Sequence, residues 1–269
     1  MIPIRDDIPT RRFPILTVAI IVLNVLVYFG FQHGGLGLGA TGEKRVVEYG
    51  AIPYELTHPG KKCGAAQTPA GQIVPICEGE RGIPQGLATR AAQDTPSTWV
   101  TVFTAMFMHG GLLHLAGNML FLWIFGNNVE DSMSRPRFVV FYLLGGIAAL
   151  AGQTAIGPNA AVPTVGASGA IAAVLAGYLL LYPRARVVTL IIIIFFITII
   201  ELPALLVLGA WFLLQVAYGV SDIAQPVGGG GGVAYFAHIG GFLFGLATIK
   251  LFANRVHADY DRQHRLPVY

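Results

Sequence analysis

The stretch "VVTLIIIIFFITII" (residues 187–200) decides how often this chain can cross a membrane. It is unbroken apolar sequence, but its 14 residues fall short of the roughly 20 that a helix needs to span hydrocarbon. Nearly every residue in it is β-branched or aromatic, which favours an extended conformation, and Glu201 and Pro203 end the run. Helix and strand both stay open for it at this level. If the stretch crosses, the chain has seven spans. If it lies against the inner interface or is buried in protein, the chain has six.

The other apolar runs fall at about 13–31, 111–126, 138–156, 168–182, 202–220 and 233–252, with Pro203 tolerated in the first turn of its helix. With the start of the chain inside, the connections 126–137 and 183–186 are also inside, and both carry arginines, as the positive-inside rule expects. Six spans put Lys250 and Arg255 inside as well, whereas seven would put them outside. Six is therefore predicted: an all-α polytopic bundle with residues 1–12 and 253–269 as cytoplasmic segments. Residues 32–98 form a long external loop, rich in Gly and Pro, of balanced charge and without clear period. The run 13–31 is too long for a signal-peptide core of about 7–15 residues and reads as a retained anchor behind Arg5, Arg11 and Arg12.

Composition agrees with a membrane setting. Of 269 residues, 54% are hydrophobic and 12% charged, against about 25% charged in soluble domains. A net charge of +3 without a basic face interleaved with aromatics excludes a nucleic-acid partner. Cys63 and Cys77 lie in the polar loop, too far apart for a Cys-x-x-Cys metal pair. They are either a disulfide, if that loop meets an oxidising space, or two unrelated thiols.

Polar residues inside spans are costly and mark function by default. Three places carry them. In "HGGLLHLAGN" (109–118), His114 and Asn118 are four apart and share a helix face, while Gly110 and Gly111 leave His109 at the start of the helix. That spacing does not match the i, i+4 histidine pair of a helical metal site, and no span carries a carboxylate to complete a ligand set. The bland alternative is that these side chains only join helices by hydrogen bonds. In "GASGA" (166–170), Ser168 opens a short helix whose first N–H groups have no intrahelical partner. A hydroxyl beside free N–H groups suits an acyl-transfer nucleophile, although serine is also a common cap and packing residue. The Gly-x-Ser-x-Gly elbow of α/β-hydrolases does not fit, because Ala170 holds the fifth position and no strand precedes. In "AHIGGFLFGL" (237–246), Gly241 and Gly245 share a face with His238 and oppose a small row on the fourth span, Gly169, Ala173 and Gly177. Two such surfaces in contact would bring His238 beside Ser168.

These three motifs, in this order, resemble the rhomboid family of intramembrane serine proteases, over about residues 99–252, with "GNNVE" (126–130) also similar. The resemblance implies a six-helix bundle that cleaves transmembrane proteins within or beside their membrane segment, in the lipid bilayer and without metal or cofactor. It implies Ser168 as nucleophile and His238 as general base. His114, Asn118 and the Ser168 N–H would form an oxyanion hole, Gly166 and Gly169 would allow close approach around the nucleophile, and His109 would shape the site. Certain members carry an aromatic residue four positions after the nucleophile, under the base; here it is Ala172. Some have Trp-Arg in the first loop, where this chain has Trp99-Val100. A bacterial plasma membrane is the expected location. Two other readings stand beside it: a catalytically inactive relative that binds membrane proteins, and a channel or transporter. Gly228–Gly232 is expected to act as part of a gate with the outer end of the fifth span.

Overall fold

The computed structural model describes residues 2–80, 82–193, 196–224 and 233–254. The polyglycine gate, Arg255 and the tail beyond it lie outside the described residues.

Helix α9 (Ser168–Leu181) is the hub, and its sequence says why. Its 14 residues are apolar on every side, and all of Gly169–Tyr178 is buried. A helix apolar all round belongs inside protein, and one this short rises only about 21 Å. Two longer helices enclose it: α8 (Arg135–Ile156), opened by Pro136 in its first turn, and α11 (Tyr235–Phe252). A third, α10 (Ala204–Ala224), packs beside α11. On the other side stands α6 (Leu112–Phe121), which runs on through a π-type turn, Leu122–Gly126, into α7 (Asn127–Asp131). The expected turn at 126 is therefore helix as far as Asp131. Among the described residues, four helices are long and apolar enough to cross a membrane: Leu112–Asp131, Arg135–Ile156, Ala204–Ala224 and Tyr235–Phe252. Ile15–Phe31, Thr98–Phe107 and Ser168–Leu181 are shorter apolar helices.

The architecture is mostly helical, and the all-α expectation is corrected in two places. Strand β1 (Ile2–Asp6) pairs with β4 (Arg186–Ile193), and β4 pairs with β5 (Phe196–Pro203), all antiparallel. The β-branched run 187–200 thus folds back on itself as a hairpin. Val187 and Thr189 turn one face inward, both fully buried. The long loop is also folded rather than irregular. It holds α2 (Ala40–Tyr49), α3 (Pro53–Thr57), the hairpin of β2 (Cys63–Gln67) and β3 (Ile73–Cys77), and α4 (Gln85–Ala92). The Cys63–Cys77 disulfide joins β2 to β3. Buried Glu55 accepts the Cys63 N–H at 2.7 Å, and burial pushes its carboxyl pKa up. A pair of thiols 14 residues apart shows no register from sequence; paired strands place the two cysteines opposite each other.

At the end of the bundle remote from Ser168, acidic residues tie α1 (Ile15–Leu26) and β1 to α7. Glu130 accepts the N–H groups of Leu16 and Thr17 (3.1 and 2.8 Å) and the Thr17 hydroxyl (2.8 Å). A distant carboxylate thus caps the start of α1. Asp131 accepts the Arg11 N–H at 2.8 Å. Asp6 accepts from Asn128 Nδ2 and from the Tyr178 hydroxyl, each at 2.7 Å. Burial pushes the Asp6 carboxyl up to about 6, against the opposing effect of Tyr178. Because the folded state holds this proton more tightly, stability falls as pH rises from about 4 through about 6. Asp6→Asn keeps an acceptor for both donors and removes the titration. Thermal unfolding in detergent should show the variant gaining on the wild type across that window, with no difference in pH slope below it.

Candidate active site

Helix α9 meets α11 closely because α11 presents Gly241 and Gly245 to its backbone. A Cβ on Gly241 would lie 2.0 Å from the Gly169 carbonyl oxygen, and one on Gly245 would lie 2.3 Å from that of Ala173. Gly177 then receives Ile249, so the predicted small rows do meet, in parallel and in register. A second seam faces α8: a Cβ on Gly152 would lie 2.8 Å from the Phe236 carbonyl, and one on Gly240 would lie 2.8 Å from that of Ala148. The neighbouring Gly240 and Gly241 wedge α11 between α8 and α9. The Ala237 N–H also donates to Gln153 of α8 at 3.2 Å.

This wedge sets His238 against Ser168, with His238 Nε2 2.7 Å from Ser168 Oγ. The other ring nitrogen, Nδ1, lies 2.7 Å from Gln215 Oε1 on α10. An amide oxygen only accepts, so Nδ1 carries the proton. The lone pair of Nε2 is left for the serine hydroxyl. Gln215 is buried, and its Nε2 points back to the Trp211 carbonyl at 3.4 Å, which fixes the amide orientation. The Trp211 ring lies tilted by 38° at 5.7 Å from the imidazole.

His114, Asn118, Ser168 and His238 share a cavity of about 330 Å³, which Trp211, Val165 and Leu175 also line. His114 Nδ1 accepts the Gly110 N–H at 3.3 Å, so its proton sits on Nε2. The Asn118 amide nitrogen is buried and has no partner among the described residues. Gly166 has φ +127°, and a Cβ there would lie 2.8 Å from His114 Nε2. Only glycine suits that backbone and that approach. Gly169 does not line this cavity; its missing Cβ makes room for Ala149 of α8, at 2.5 Å. His109 is fully buried, edge-on to His114 with ring centres 5.1 Å apart. Its N–H and carbonyl are clasped by Gln32 (2.9 and 2.8 Å). Ala172 is fully buried under the α11 seam, so no aromatic ring fits below His238 there.

The residue missed from sequence is Gln215. The signal was present, since it is the polar side chain in the middle of an apolar span. Gln32 and Gln153 were missed for lack of any motif. Among the described residues, no cluster of three metal-ligating side chains occurs.

Residues 96–255, more than half of the chain, match the Rhomboid domain. This chain belongs to the rhomboid family. It is 28% identical over 185 residues to Rhomboid protein 1, mitochondrial, of Saccharomyces cerevisiae, covering 65% of this chain and 47% of that protein. To the human presenilin-associated rhomboid-like protein, mitochondrial, it is 31% identical over 144 residues, 52% of this chain and 34% of the relative. To the rhomboid protease GluP of Bacillus subtilis it is 28% identical over 158 residues, 59% of this chain and 23% of the relative. This rhomboid thus spans less than half the length of each relative. The Rhomboid match runs from just before α5 (Thr98–Thr104) through α11 and includes every cavity residue named above. Strand β1, helix α1 and the disulfide-bonded loop precede it.

The glycine seam predicts a steep local cost. Gly241→Ala should destabilise the bundle by on the order of 1–3 kcal/mol, because a methyl group there meets backbone. Gly209, with nothing within 4 Å of a built Cβ, is the control. Gly209→Ala should leave the detergent unfolding midpoint unchanged or slightly raised.

Proposed function

We propose that this rhomboid is a serine endopeptidase that cleaves transmembrane protein substrates within or beside their membrane segment. The observation that carries the reading is the chain of contacts Ser168–His238–Gln215. Serine is a weak nucleophile until an adjacent base takes its proton. Here a neutral imidazole offers its lone pair to Ser168 Oγ and is held in that tautomer from behind. In the reaction, Ser168 Oγ attacks the scissile carbonyl carbon while His238 Nε2 receives the hydroxyl proton. The carbonyl oxygen becomes an oxyanion, and the donors supporting it are the His114 Nε2–H, the Asn118 amide and the Ser168 N–H. Such donors are each worth a rate factor of about 10²–10³. Collapse expels the amine, which leaves with the proton from His238. Water, activated by the same base, then releases the acyl group from Ser168.

The reading includes six spans. The two short helices Ile15–Phe31 and Ser168–Leu181 join the four long ones, and the 187–200 hairpin returns to the side it left. Both chain ends then lie in the cytoplasm, and the disulfide-bonded loop 32–98 lies outside, where oxidising conditions allow such a bond. The setting is a bacterial plasma membrane, a reading supported by the similarity to GluP of Bacillus subtilis. Helix α9 is enclosed by protein, so it has no need to match the bilayer thickness. Its serine can therefore open below the membrane surface, in reach of water that enters the cavity. The presence of both Ser168 and His238, in hydrogen-bond contact, favours catalysis over a role in binding alone.

Ser168→Ala and His238→Ala, each purified in detergent or reconstituted in liposomes with a single-span substrate, should both abolish cleavage. A fluorophosphonate should label the wild type and leave Ser168→Ala unlabelled. Retained cleavage by either variant overturns the dyad. Gln215 is a positioning residue and makes a finer prediction. Gln215→Leu, which fills the same space but cannot accept, should lower kcat about tenfold with KM little changed, in line with the loss of one buried hydrogen bond. Gln215→Glu retains an acceptor and should restore most of that loss. Equal losses for the two would show that only packing matters at this position.

A further inference from the structure

The β4–β5 hairpin is left without a function by the site above, and its exposed face is unusual. The register puts Leu190 opposite Ile199 and Ile192 opposite Ile197, so these four side chains share one face. Ile192, Ile197 and Ile199 are 52%, 71% and 60% exposed. Ile2 joins them from β1, opposite Leu190, and is itself exposed. Strand β5 is also the sheet's edge, so one row of its N–H and C=O groups faces outward. The base of the same sheet is charged. Arg186 pairs with Glu201 at 3.6 Å, whereas Arg184 has no ion pair among the described residues. Both arginines and Glu201 line a recess of about 540 Å³, together with Pro183, Pro203, Leu205 and Leu206. Those two leucines, each 57% exposed, begin the apolar outer surface of α10.

We infer that this sheet is a docking surface for anionic phospholipid in the leaflet at the end of the bundle remote from Ser168. A phosphate would sit at Arg184 and Arg186, and acyl chains would run along Leu205, Leu206 and the isoleucine face. Charge complementarity and continuity with α10 both point to lipid. Where a headgroup would lie the recess holds two arginines and one carboxylate, a net charge of one positive, and it is apolar where the tails would lie. The edge of β5 limits the depth. Its outward backbone groups, which pair with no strand among the described residues, cannot enter hydrocarbon without large cost. The sheet therefore lies in the headgroup layer with Ile192, Ile197 and Ile199 turned toward the acyl chains. Arginine near an anionic surface enriches such lipid about fivefold per charge, and Glu201 offsets one of the two. Pro203 leads directly into α10, so a docked hairpin also fixes one end of the helix that carries Gln215. The inference requires the helices to lie in a bilayer and is independent of whether Ser168 cleaves a substrate.

The test uses the full chain in vesicles. Both native cysteines are in the disulfide, so Ile199→Cys supplies a single thiol for an environment-sensitive fluorophore. Spin-labelled acyl chains are then carried either on phosphatidylglycerol or on phosphatidylcholine, at equal mole fraction. The expected result is quenching by both, about fivefold more effective from phosphatidylglycerol. Adding Arg184→Gln, which leaves Arg186 paired with Glu201, should bring the two quenchers level while the label stays in the leaflet. Equal quenching in the unmutated recess overturns the anionic site. Quenching by aqueous iodide but not by lipid places the hairpin in water and overturns the docking surface. Protection from both quenchers that grows with protein density assigns the β5 edge to a second copy instead, and overturns it as well.

Discussion

The Gly241 backbone rests on the Gly169 carbonyl, and the site depends on that contact. A histidine and a serine 70 positions apart come within 2.7 Å because two helices approach without side chains between them. Burying polar groups costs free energy unless they are hydrogen-bonded. The dyad meets that condition internally: the hydroxyl bonds to the imidazole and the imidazole to Gln215. That closeness rests on Gly241 and Gly245, which carry no methyl where α11 meets the α9 backbone.

The second seam explains why one helix can serve two neighbours. Gly240 faces α8 and Gly241 faces α9, so a pair of adjacent glycines seats α11 in the angle between them. Helix α9 is thereby enclosed over Gly169–Tyr178, and only Leu180 near its far end is exposed. Its 14 residues are enough because protein, not bilayer, is its solvent. A short central helix is what allows a hydroxyl to open into a cavity instead of lying against acyl chains. The opposite end is held by other means. Glu130, Asp131 and Asp6 bind backbone and side-chain donors of α1, the preceding segment and α7. The bundle is joined by close glycine contacts along α8, α9 and α11 and, at the end remote from Ser168, by this polar network.

Helix α10 links the site to the rest of the molecule. Its middle carries Gln215 and Trp211, which set the ring of His238, and its start grows out of the β4–β5 hairpin. The orienting acceptor thus comes from a helix flanking the central core. In a triad of the hydrolytic type a carboxylate usually holds the histidine. A neutral amide makes the same hydrogen bond without bringing a charge into the bundle, which suits an apolar surrounding where an uncompensated charge is costly.

Much of this was legible in the chain by itself. The apolar runs located the helices because length and hydropathy are local properties. Glycine spacing predicted the α9–α11 seam because small residues four apart must share a helix face. Those same motifs brought Ser168, His238, His114 and Asn118 into view. Other features required the tertiary structure. The run at 187–200 is a hairpin because its β-branched residues found a partner strand, and β1 comes from the far end of the chain. The loop at 32–98 is ordered because a cross-strand disulfide and buried Glu55 join segments with no shared period. That Gly169, beside Ser168 and in the small row toward α11, also makes room for Ala149 of α8 is likewise set by the packing. What holds His238, with Ala172 beneath it, could not be assigned locally, although Gln215 stands out as a polar side chain in an apolar span. The answer is an acceptor 23 positions away on another helix, and only the packing of α10 against α11 brings it to the ring.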